Sequence, residues 1–448
     1  MTIRRFSAAV SLSLLAAAPV AMAQESAPAA NPWTARWRLE LRANWRDSRE
    51  QRLPLKTRFP PSFLPVGQDT GFEETVDAGS HAELSVAQLR LDLGYGKWFA
   101  AHTQLHVQDK YRRNPTSNDR KIDADELWLR FGEKPEFLER PEKTSFFLQV
   151  GKAPKMERQP LRLLESYGLA ATSFNRFEDV QAMLGGTIGR NLYWRAVGSS
   201  GNPLYFRDSN ALAGDNGIPL LLTMNPDPHF KSGFPILYNA ETEGYFLKTE
   251  HFQFGQGLGY RWQNEAQTFG FDAIAFHYRR TLAEQQKLYG TFYGADLDLL
   301  DGPQDFHVGI PTQARTKEET GGRIYAEWRD LTVIAQYTKQ TIAGLHREGY
   351  ELESGYRIPF AFGPSIGGES LFQYVQPAVR ISGLQNDFKG PAGYPAPSIW
   401  WNWVKLDLGV RIGLAKNVDV TAEHSRHNIV AARRIEPSET LVTVRVRI

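Results

Sequence analysis

The sequence predicts an all-β protein, a transmembrane antiparallel β-barrel of about 16 strands, or about 18, with short periplasmic turns and long extracellular loops. Three observations support this fold class. Segments along the chain alternate between apolar and polar residues with the period of a strand. An apolar N-terminal segment has the form of an export signal. After it, the chain has no apolar run long enough for a membrane-spanning helix, so only a closed barrel would satisfy its backbone in lipid.

The N-terminus predicts export. Arg4 and Arg5 precede an apolar stretch over residues 8–20, which ends in the small-x-small pattern of residues 21–23. We therefore interpret residues 1–23 as a cleavable secretory signal peptide. An N-terminal membrane anchor is the alternative, but the apolar stretch is too short to span a bilayer and a polar segment follows it.

Composition limits what the exported part can be. We assign residues 24–34 to a periplasmic N-terminal segment and residues 35–448 to the barrel. The chain has no Cys, which excludes a Cys-linked lipid anchor, a disulfide framework and thiolate metal sites. It has 52 basic and 50 acidic side chains, and the signal peptide contains two of the basic ones. The mature chain is thus formally neutral, and nothing in its net charge favours nucleic acid.

The first strand shows both faces of the predicted wall. Residues 35–46 read ARWRLELRANWR, with Trp37 and Trp45 on the apolar face. In a tilted strand these two indoles lie roughly 20 Å apart along the membrane normal, close to the height of an outer-membrane apolar band. The opposite face carries four Arg and Glu40, which would be costly in hydrocarbon. This face is expected to line a wet, charged lumen.

The same alternation recurs in later hairpins. Leu89, Leu91 and Leu93 alternate with polar residues before a tight turn at residues 94–97. Further hairpins are predicted over residues 183–199, 322–340 and 406–423, with tight turns at 189–191, 329–330 and 415–417. The polar stretch 51–80 is a long connection by contrast. Tight turns should be periplasmic and long connections extracellular.

The C-terminal segment predicts how the barrel closes. Val442, Val444, Val446 and Ile448 share one face of a strand that runs to the end of the chain. We expect this strand to pair with the first. It resembles the C-terminal insertion signal of outer-membrane barrels, except that Ile448 replaces the usual aromatic residue. The resemblance implies recognition by the barrel-insertion machinery, location in the outer membrane of a Gram-negative envelope, and contact with its lipid and lipopolysaccharide.

Three further stretches resemble outer-membrane porins of the phosphate-selective type and, more loosely, the alginate-export barrels. They are residues 147–158, with Gly151-Lys152 before Pro154; residues 165–195, beginning Glu165-Ser166-Tyr167-Gly168; and residues 377–380. With the two ends, they cover about half of the mature chain. The resemblance implies a 16-stranded, often trimeric diffusion channel with a loop folded inward. The basic ladders that make those porins selective do not match this sequence residue by residue.

Arginine dominates the predicted lumenal faces. The candidate lumen and selectivity residues are Arg36, Arg38, Arg42, Arg46, Arg90, Arg130, Arg195, Arg261, Arg323, Arg411, Arg445 and Arg447. Closure of the first and last strands should place Arg445 and Arg447 beside Arg36 and Arg38 as one basic wall. Guanidinium groups suit carboxylates and phosphates, so we expect passive diffusion of small hydrophilic, anionic solutes such as phosphate and organic acids.

Inward-facing acids leave two alternatives open. They are Glu40, Asp92, Glu126, Glu327, Asp407, Asp419 and Glu423. They would either set up a transverse field across the pore or pair with the arginines and stiffen the wall. The connections 200–244 and 280–320 are expected to be extracellular loops or a constriction.

Other functions have weaker support. An oligosaccharide or polysaccharide channel is an alternative because the mixture of Arg and aromatic residues would suit sugars, and a non-conducting adhesin or structural barrel is another. An enzyme is not expected, since residues 424–427, His-Ser-Arg-His, cannot alone form a catalytic triad. No cofactor is implied. The acids at 123, 125 and 126, and at 296, 298 and 301, lack the calcium-loop pattern, so no metal site is predicted.

Overall fold

A computed structural model describes most of the predicted wall. The described residues are 32–49, 52–54, 72–74, 79–107, 122–135, 137–139, 141, 144–175, 178–200, 252–281, 316–342, 344–366, 368–387, 402–430 and 434–448. The predicted signal peptide and most of the connections 200–244 and 280–320 lie outside them.

The strands, in chain order, are β1 (Trp33–Ser48), β2 (Arg52–Pro54), β3 (Phe72–Glu74), β4 (Gly79–Tyr95), β5 (Phe99–Val107), β6 (Ile122–Gly132), β7 (Phe146–Pro154), β8 (Glu178–Ile188), β9 (Leu192–Ser199) and β10 (Gln253–Gln263). They continue as β11 (Phe269–Thr281), β12 (Thr316–Trp328), β13 (Leu331–Ile342), β14 (Leu345–Tyr356), β15 (Ile358–Ile366), β16 (Glu369–Asn386), β17 (Asn402–Leu414), β18 (Val418–Val430), β19 (Arg434–Ile435) and β20 (Ser438–Arg447).

These strands form a closed antiparallel barrel. Each wall strand pairs with its neighbours in sequence, and β1 pairs with β20 to close the sheet. Strands β14 and β15 both pair with β16 and are separated only by Arg357, so they are one bent strand. Likewise, β19 and β20 both pair with β18. The barrel therefore has sixteen strands, as predicted, and β2 and β3 form a separate ribbon in the first long connection.

The closing seam confirms the pairing of the first and last strands but corrects its register. Arg445 lies opposite Arg42, and Arg447 lies opposite Glu40. The expected pairing with Arg36 and Arg38 was wrong, because β1 begins at Trp33 and its first residues extend past the end of β20. The predicted wall of four arginines is thus divided between two levels of the lumen.

The predicted tight turns lie at one end of the barrel, together with the start of β1 and the end of β20. The predicted hairpins at Gly189-Arg190-Asn191, Arg329-Asp330 and 415–417 are confirmed, and the turn after β4 falls at 96–98. Ala415 and Asn417 adopt positive φ angles of 52° and 66°, which a three-residue turn of this kind requires. At the opposite end, where long connections are expected, one connection is also short: only residues 343–344 separate β13 from β14 in the chain.

The outer surface is apolar. Trp37, Leu93 and Leu408 are 57%, 48% and 52% exposed, whereas the alternate residues on the same strands carry charge. Aromatic side chains gather at the short-turn end, where Trp33 lies edge-on to Tyr95 with ring centroids 5.0 Å apart. A belt of this kind marks a membrane–water interface in outer-membrane barrels. Among the described residues, no helix has the length and apolar character needed to cross a membrane.

Candidate functional site

The candidate site is the barrel lumen. Strand parity places charged side chains there: in β17, Lys405 and Asp407 are nearly fully buried, while their neighbours Leu406 and Leu408 face outward and are exposed. The burial arises because the chain itself fills part of the lumen. Residues 155–175, between β7 and β8, contact the inward faces of wall strands, and we call them the inward segment.

The inward segment enters the lumen at Lys155. Its Nζ lies 2.6 Å from Glu319 Oε2 and 3.0 Å from Glu157 Oε1, and it donates to the carbonyl oxygen of Phe174 at 3.2 Å. Burial would lower the pKa of Lys155, but the two carboxylates outweigh burial and raise it. The ammonium group thus joins the two ends of the segment to β12 while remaining charged.

Wall carboxylates accept hydrogen bonds from the backbone of the inward segment. Glu353 Oε1, on β14, accepts from the N–H groups of Leu163 and Leu164 at 2.8 and 2.9 Å. Glu423, on β18, accepts from the N–H and the hydroxyl of Ser166 at 2.7 and 3.1 Å. These bonds satisfy buried backbone donors that have no sheet partner, and charge-assisted bonds of this kind are stronger than neutral ones.

Wall cations hold the carbonyl groups of the same stretch. Arg380 Nη1, on β16, donates to Ser166 O at 2.9 Å, while its Nε donates to Asp407 Oδ2 at 2.9 Å. Lys405 Nζ donates to Tyr167 O at 2.8 Å. Acids and bases on the wall therefore hold opposite poles of the peptide groups, which fixes the course of the segment.

Glu165 fastens the inward segment to the closing seam. Its Oε1 lies 2.8 Å from Arg411 Nη2 and 3.1 Å from Arg445 Nη1, and its Oε2 lies 3.5 Å from Arg42 Nη1. Burial alone would raise the pKa of Glu165, but the guanidinium groups of Arg42, Arg445 and Arg411 lower it to about 2. One carboxylate thereby links β1, β17 and β20.

Apolar side chains of the inward segment fit against glycines of the wall. A Cβ at Gly409 would lie 2.5 Å from Leu164 Cδ2, and one at Gly355 would lie 3.0 Å from Leu163 Cδ1. Gly257 leaves space for the Met156 side chain in the same way. The wall glycines thus leave sockets for the segment, which explains why they interrupt the charged lumenal faces.

Most of the predicted lumenal arginines pair with acids. Those that form ion pairs with lumenal carboxylates are Arg42, Arg46, Arg261, Arg323, Arg411, Arg445 and Arg447. Asp272, for example, lies 2.8 Å from Arg323 Nη2 and 3.6 Å from Arg261 Nε. Arg195 instead lies over the rings of Phe147 and Tyr193 and donates to Trp194 O at 2.8 Å. In this part of the wall, the lumenal acids therefore pair with the arginines, which is the second of the two alternatives given in the sequence analysis.

Two predicted residues differ from that group. Arg36 and Arg38 lie on the lumenal face of β1 near the short-turn end, and both are exposed. Among the described residues, neither has a carboxylate within 4 Å of its guanidinium. Their cross-strand partners on β4 are Asp92 and Arg90. Arg38 and Arg90 therefore place like charges directly opposite each other, an arrangement that costs stability unless an anion shares it.

The wall formed by β4, β5 and β6 takes no part in the contacts of the inward segment described above. Its lumenal side chains include His102, His106, Gln104 and Trp128, and a β-bulge in β6 directs both Asp125 and Glu126 to the lumen. Bulges often redirect side chains in this way. His106 Nδ1 lies 2.7 Å from Asp125 Oδ2. Because Arg90 and Arg130 also lie at inward positions of β4 and β6, this wall presents both signs of charge to the lumen.

Sequence reasoning missed the residues that hold the inward segment. Glu351, Glu353, Arg380 and Lys405 were not among the candidates, although each lies at an inward position of an alternating strand. The sequence signal that could have identified them was a charged residue at an inward position of the strand. Their partners lie up to 238 residues away in the chain, which strand periodicity cannot reveal.

Two disfavoured alternatives concern described residues. His424 and Arg426 face outward on β18, whereas Ser425 and His427 face inward, so the four consecutive residues do not converge. His427 instead accepts a hydrogen bond from Trp403 Nε1 at 3.1 Å. No cluster of His and acidic residues within the described ranges has the arrangement of a metal site. The acids at 296, 298 and 301 lie outside those ranges.

A scan against protein-family models gives no match, and a comparison with curated proteins gives none either. Among solved structures, OprB of Pseudomonas putida aligns with 92% of this chain and 94% of its own, at 8% identity and a TM-score of 0.50. The outer membrane channel DcaP of Acinetobacter baumannii aligns over 93% and 97% at 8% identity, with a TM-score of 0.48. At the identity of OprB the likeness concerns the fold, and it agrees with the sixteen-stranded barrel.

Proposed function

We propose that this chain is a bacterial outer-membrane channel through which small hydrophilic solutes, preferentially anions, diffuse passively. The apolar outer face, the charged lumen and the barrel fold support a channel. A signal peptide over residues 1–23 and insertion by the barrel-assembly machinery belong to the proposal, as does a homotrimer. Diffusion of this kind needs no cofactor or energy source.

The exposed pair Arg36 and Arg38 carries the anion preference. Among the described residues, no carboxylate lies within 4 Å of either guanidinium group, whereas other lumenal arginines contact Asp272, Asp419 or Glu165. Planar guanidinium groups bind carboxylate and phosphate through two parallel hydrogen bonds. Phosphate and small organic acids are therefore the proposed solutes, and Arg36 and Arg38 are where they would first meet unneutralised positive charge from the short-turn side.

The test is the reversal potential of the refolded chain in a planar bilayer under a KCl gradient. We expect the native chain to favour chloride and the double variant R36Q/R38Q to shift the potential towards cation preference. The matched control is R279Q, because Arg279 is 65% exposed on the outer face, paired with Glu318. An unchanged potential in R36Q/R38Q would contradict the anion preference.

Conductance itself tests the broader proposal. Discrete current steps that phosphate or a small organic acid blocks would support a channel for anions. Complete absence of current from correctly refolded barrels would refute a channel and favour a non-conducting adhesin or structural barrel.

A further inference from the structure

Four lumenal side chains form one continuous row across neighbouring strands. Arg36 on β1 is the register partner of Asp92 on β4, Asp92 of His102 on β5, and His102 of Trp128 on β6. Adjacent strands lie about 4.8 Å apart, so the row spans roughly 14 Å along the wall. A second row, Arg38, Arg90, Gln104 and Glu126, runs beside it.

Trp128 is held in place within this row. The His102 ring stacks on the indole with centroids 5.0 Å apart and an interplanar angle of 19°. The indole Nε1 donates to Glu126 Oε2 at 3.4 Å, and Arg130 Cζ lies 5.3 Å from the ring centroid. His102 covers one face of the indole and Glu126 binds its polar edge, so the ring has a fixed orientation before any solute arrives.

His102 is fixed in turn by two carboxylates. Its Nδ1 lies 2.6 Å from Asp92 Oδ1, and its Nε2 lies 3.6 Å from Glu126 Oε2. The Asp92 side chain is 54% exposed, so it also presents carboxylate oxygen to the lumen. The row therefore combines an aromatic ring with fixed acceptors, and Arg130, which lies beside Trp128 on β6, adds a donor.

No side chain from the next strand lies opposite Trp128. Its register partner on β7 is Gly151, at φ 136°. A Cβ there would come 2.2 Å from Leu127 O and 2.7 Å from Trp128 Cα, so the backbone excludes any larger residue. Trp128 accordingly stays partly exposed, whereas the lumenal rings of Phe147, Tyr278 and Trp403 are at most 2% exposed.

We infer that Trp128, with Asp92, Glu126 and Arg130, forms a binding site for a neutral, hydroxyl-rich ring such as an aldohexose in its pyranose form. The apolar face of such a ring packs on an indole, while its hydroxyl groups donate to carboxylates and accept from a guanidinium. Charges of both signs surround the indole, which suits a neutral polyol better than an ion. This inference rests on the proposed function for the channel itself, and it adds a neutral solute to the anions proposed for Arg36 and Arg38.

The experiment compares glucose with sorbitol, an acyclic polyol of similar size. In planar bilayers we expect glucose to block the ion current of the native chain saturably and sorbitol to do so far less. In W128L, the concentration of glucose for half-maximal block should rise by about tenfold, which corresponds to the loss of one stacking contact. W37L is the matched control, because Trp37 is 57% exposed on the outer face.

Saturation-transfer NMR of glucose with the detergent-solubilised barrel tests binding without current. Transfer to the ring protons should be strong with the native chain and W37L, and lost with W128L. Equal signals for glucose and sorbitol, or an unchanged signal in W128L, would overturn the inference. A barrel that binds glucose but passes no current would refute the proposed function alone, whereas a shifted reversal potential in R36Q/R38Q without glucose binding would refute the sugar site alone.

Discussion

Arg42 and Arg445 lie directly opposite each other across the seam where the first and last strands close the barrel. Two guanidinium groups at such a position repel each other. Glu165 of the inward segment lies 3.5 Å from Arg42 and 3.1 Å from Arg445, and its negative charge forms ion pairs with both guanidinium groups. The segment that occupies the lumen therefore also stabilises closure of the wall.

The first prediction concerns E165Q. The variant keeps the shape of the side chain but leaves Arg42, Arg411 and Arg445 without the charge they share. Removal of one partner from a buried ion pair costs about 3 to 5 kcal/mol, and because Asp419 also contacts Arg411 and Arg445, we expect a loss of about 2 to 3 kcal/mol in the free energy of unfolding. Urea unfolding in detergent micelles measures it.

The control for E165Q is E436Q. Glu436 pairs with Arg434 in an exposed position, 61% accessible, where an ion pair contributes little. Its unfolding free energy should match that of the native chain. Equal stability of E165Q and E436Q would show that Glu165 does not fasten the seam.

The second prediction concerns the contribution of Glu165 to stability at low pH. The pKa of Glu165 is lowered to about 2 from an ordinary value of 4.5, so its stabilising contribution is complete above about pH 4.5 and is lost as the pH falls through about 2. The difference in the free energy of unfolding between the native chain and E165Q should therefore be constant above about pH 4.5, decrease at lower pH and vanish near pH 2.

The other acids that contact the segment titrate in both chains, so the difference between the two chains reports on Glu165 alone, and urea unfolding at decreasing pH measures it. A difference that does not change between about pH 4.5 and pH 2 would contradict the depressed pKa of Glu165.

The third prediction concerns Lys155 and Glu319, which are 2% and 1% exposed and 2.6 Å apart. K155M leaves the Glu319 carboxylate buried, with Lys317 as its remaining cation at 3.1 Å. We expect each of K155M and E319Q to lower the free energy of unfolding by about 3 kcal/mol. The double variant should lose less than the sum, with a coupling energy of about 1 to 3 kcal/mol from a double-mutant cycle. Strict additivity would contradict a direct interaction.

The barrel was predictable because its strands are two-sided. Over residues 35–46 of β1 and 404–408 of β17, apolar residues alternate with polar or charged ones, so the period and the face could be assigned from the residues alone. The register of the seam could not, since alternation is equally satisfied when β20 shifts by any even number of residues along β1. Arg445 therefore had the correct face but the wrong neighbour.

The contacts of the inward segment also could not be predicted from the sequence. Residues 155–175 have no strand period, and distant side chains such as Glu353 and Glu423 hold them in place. Of these two, Glu423 was predicted only to face the lumen, and Glu353 was not predicted. The resemblance to porins implied an inward loop, and its residues 165–168 lie in that segment. The use of lumenal arginines to hold protein rather than solute depended on contacts that no local pattern contains.

The fourth prediction concerns the socket at Gly409. A Cβ there would lie 2.5 Å from Leu164 Cδ2 and 3.0 Å from Ala422 O. The leucine can turn away, whereas the backbone oxygen cannot, so G409A should displace Leu164 and cost about 1 to 3 kcal/mol in unfolding free energy. G198A is the control, since its Cβ would meet only Phe254 at 4.0 Å. If Leu164 packs as described, the combination L164A/G409A should lose less stability than the two single variants together, because the smaller side chain leaves room for the new methyl group. Additive losses in urea unfolding would contradict the contact.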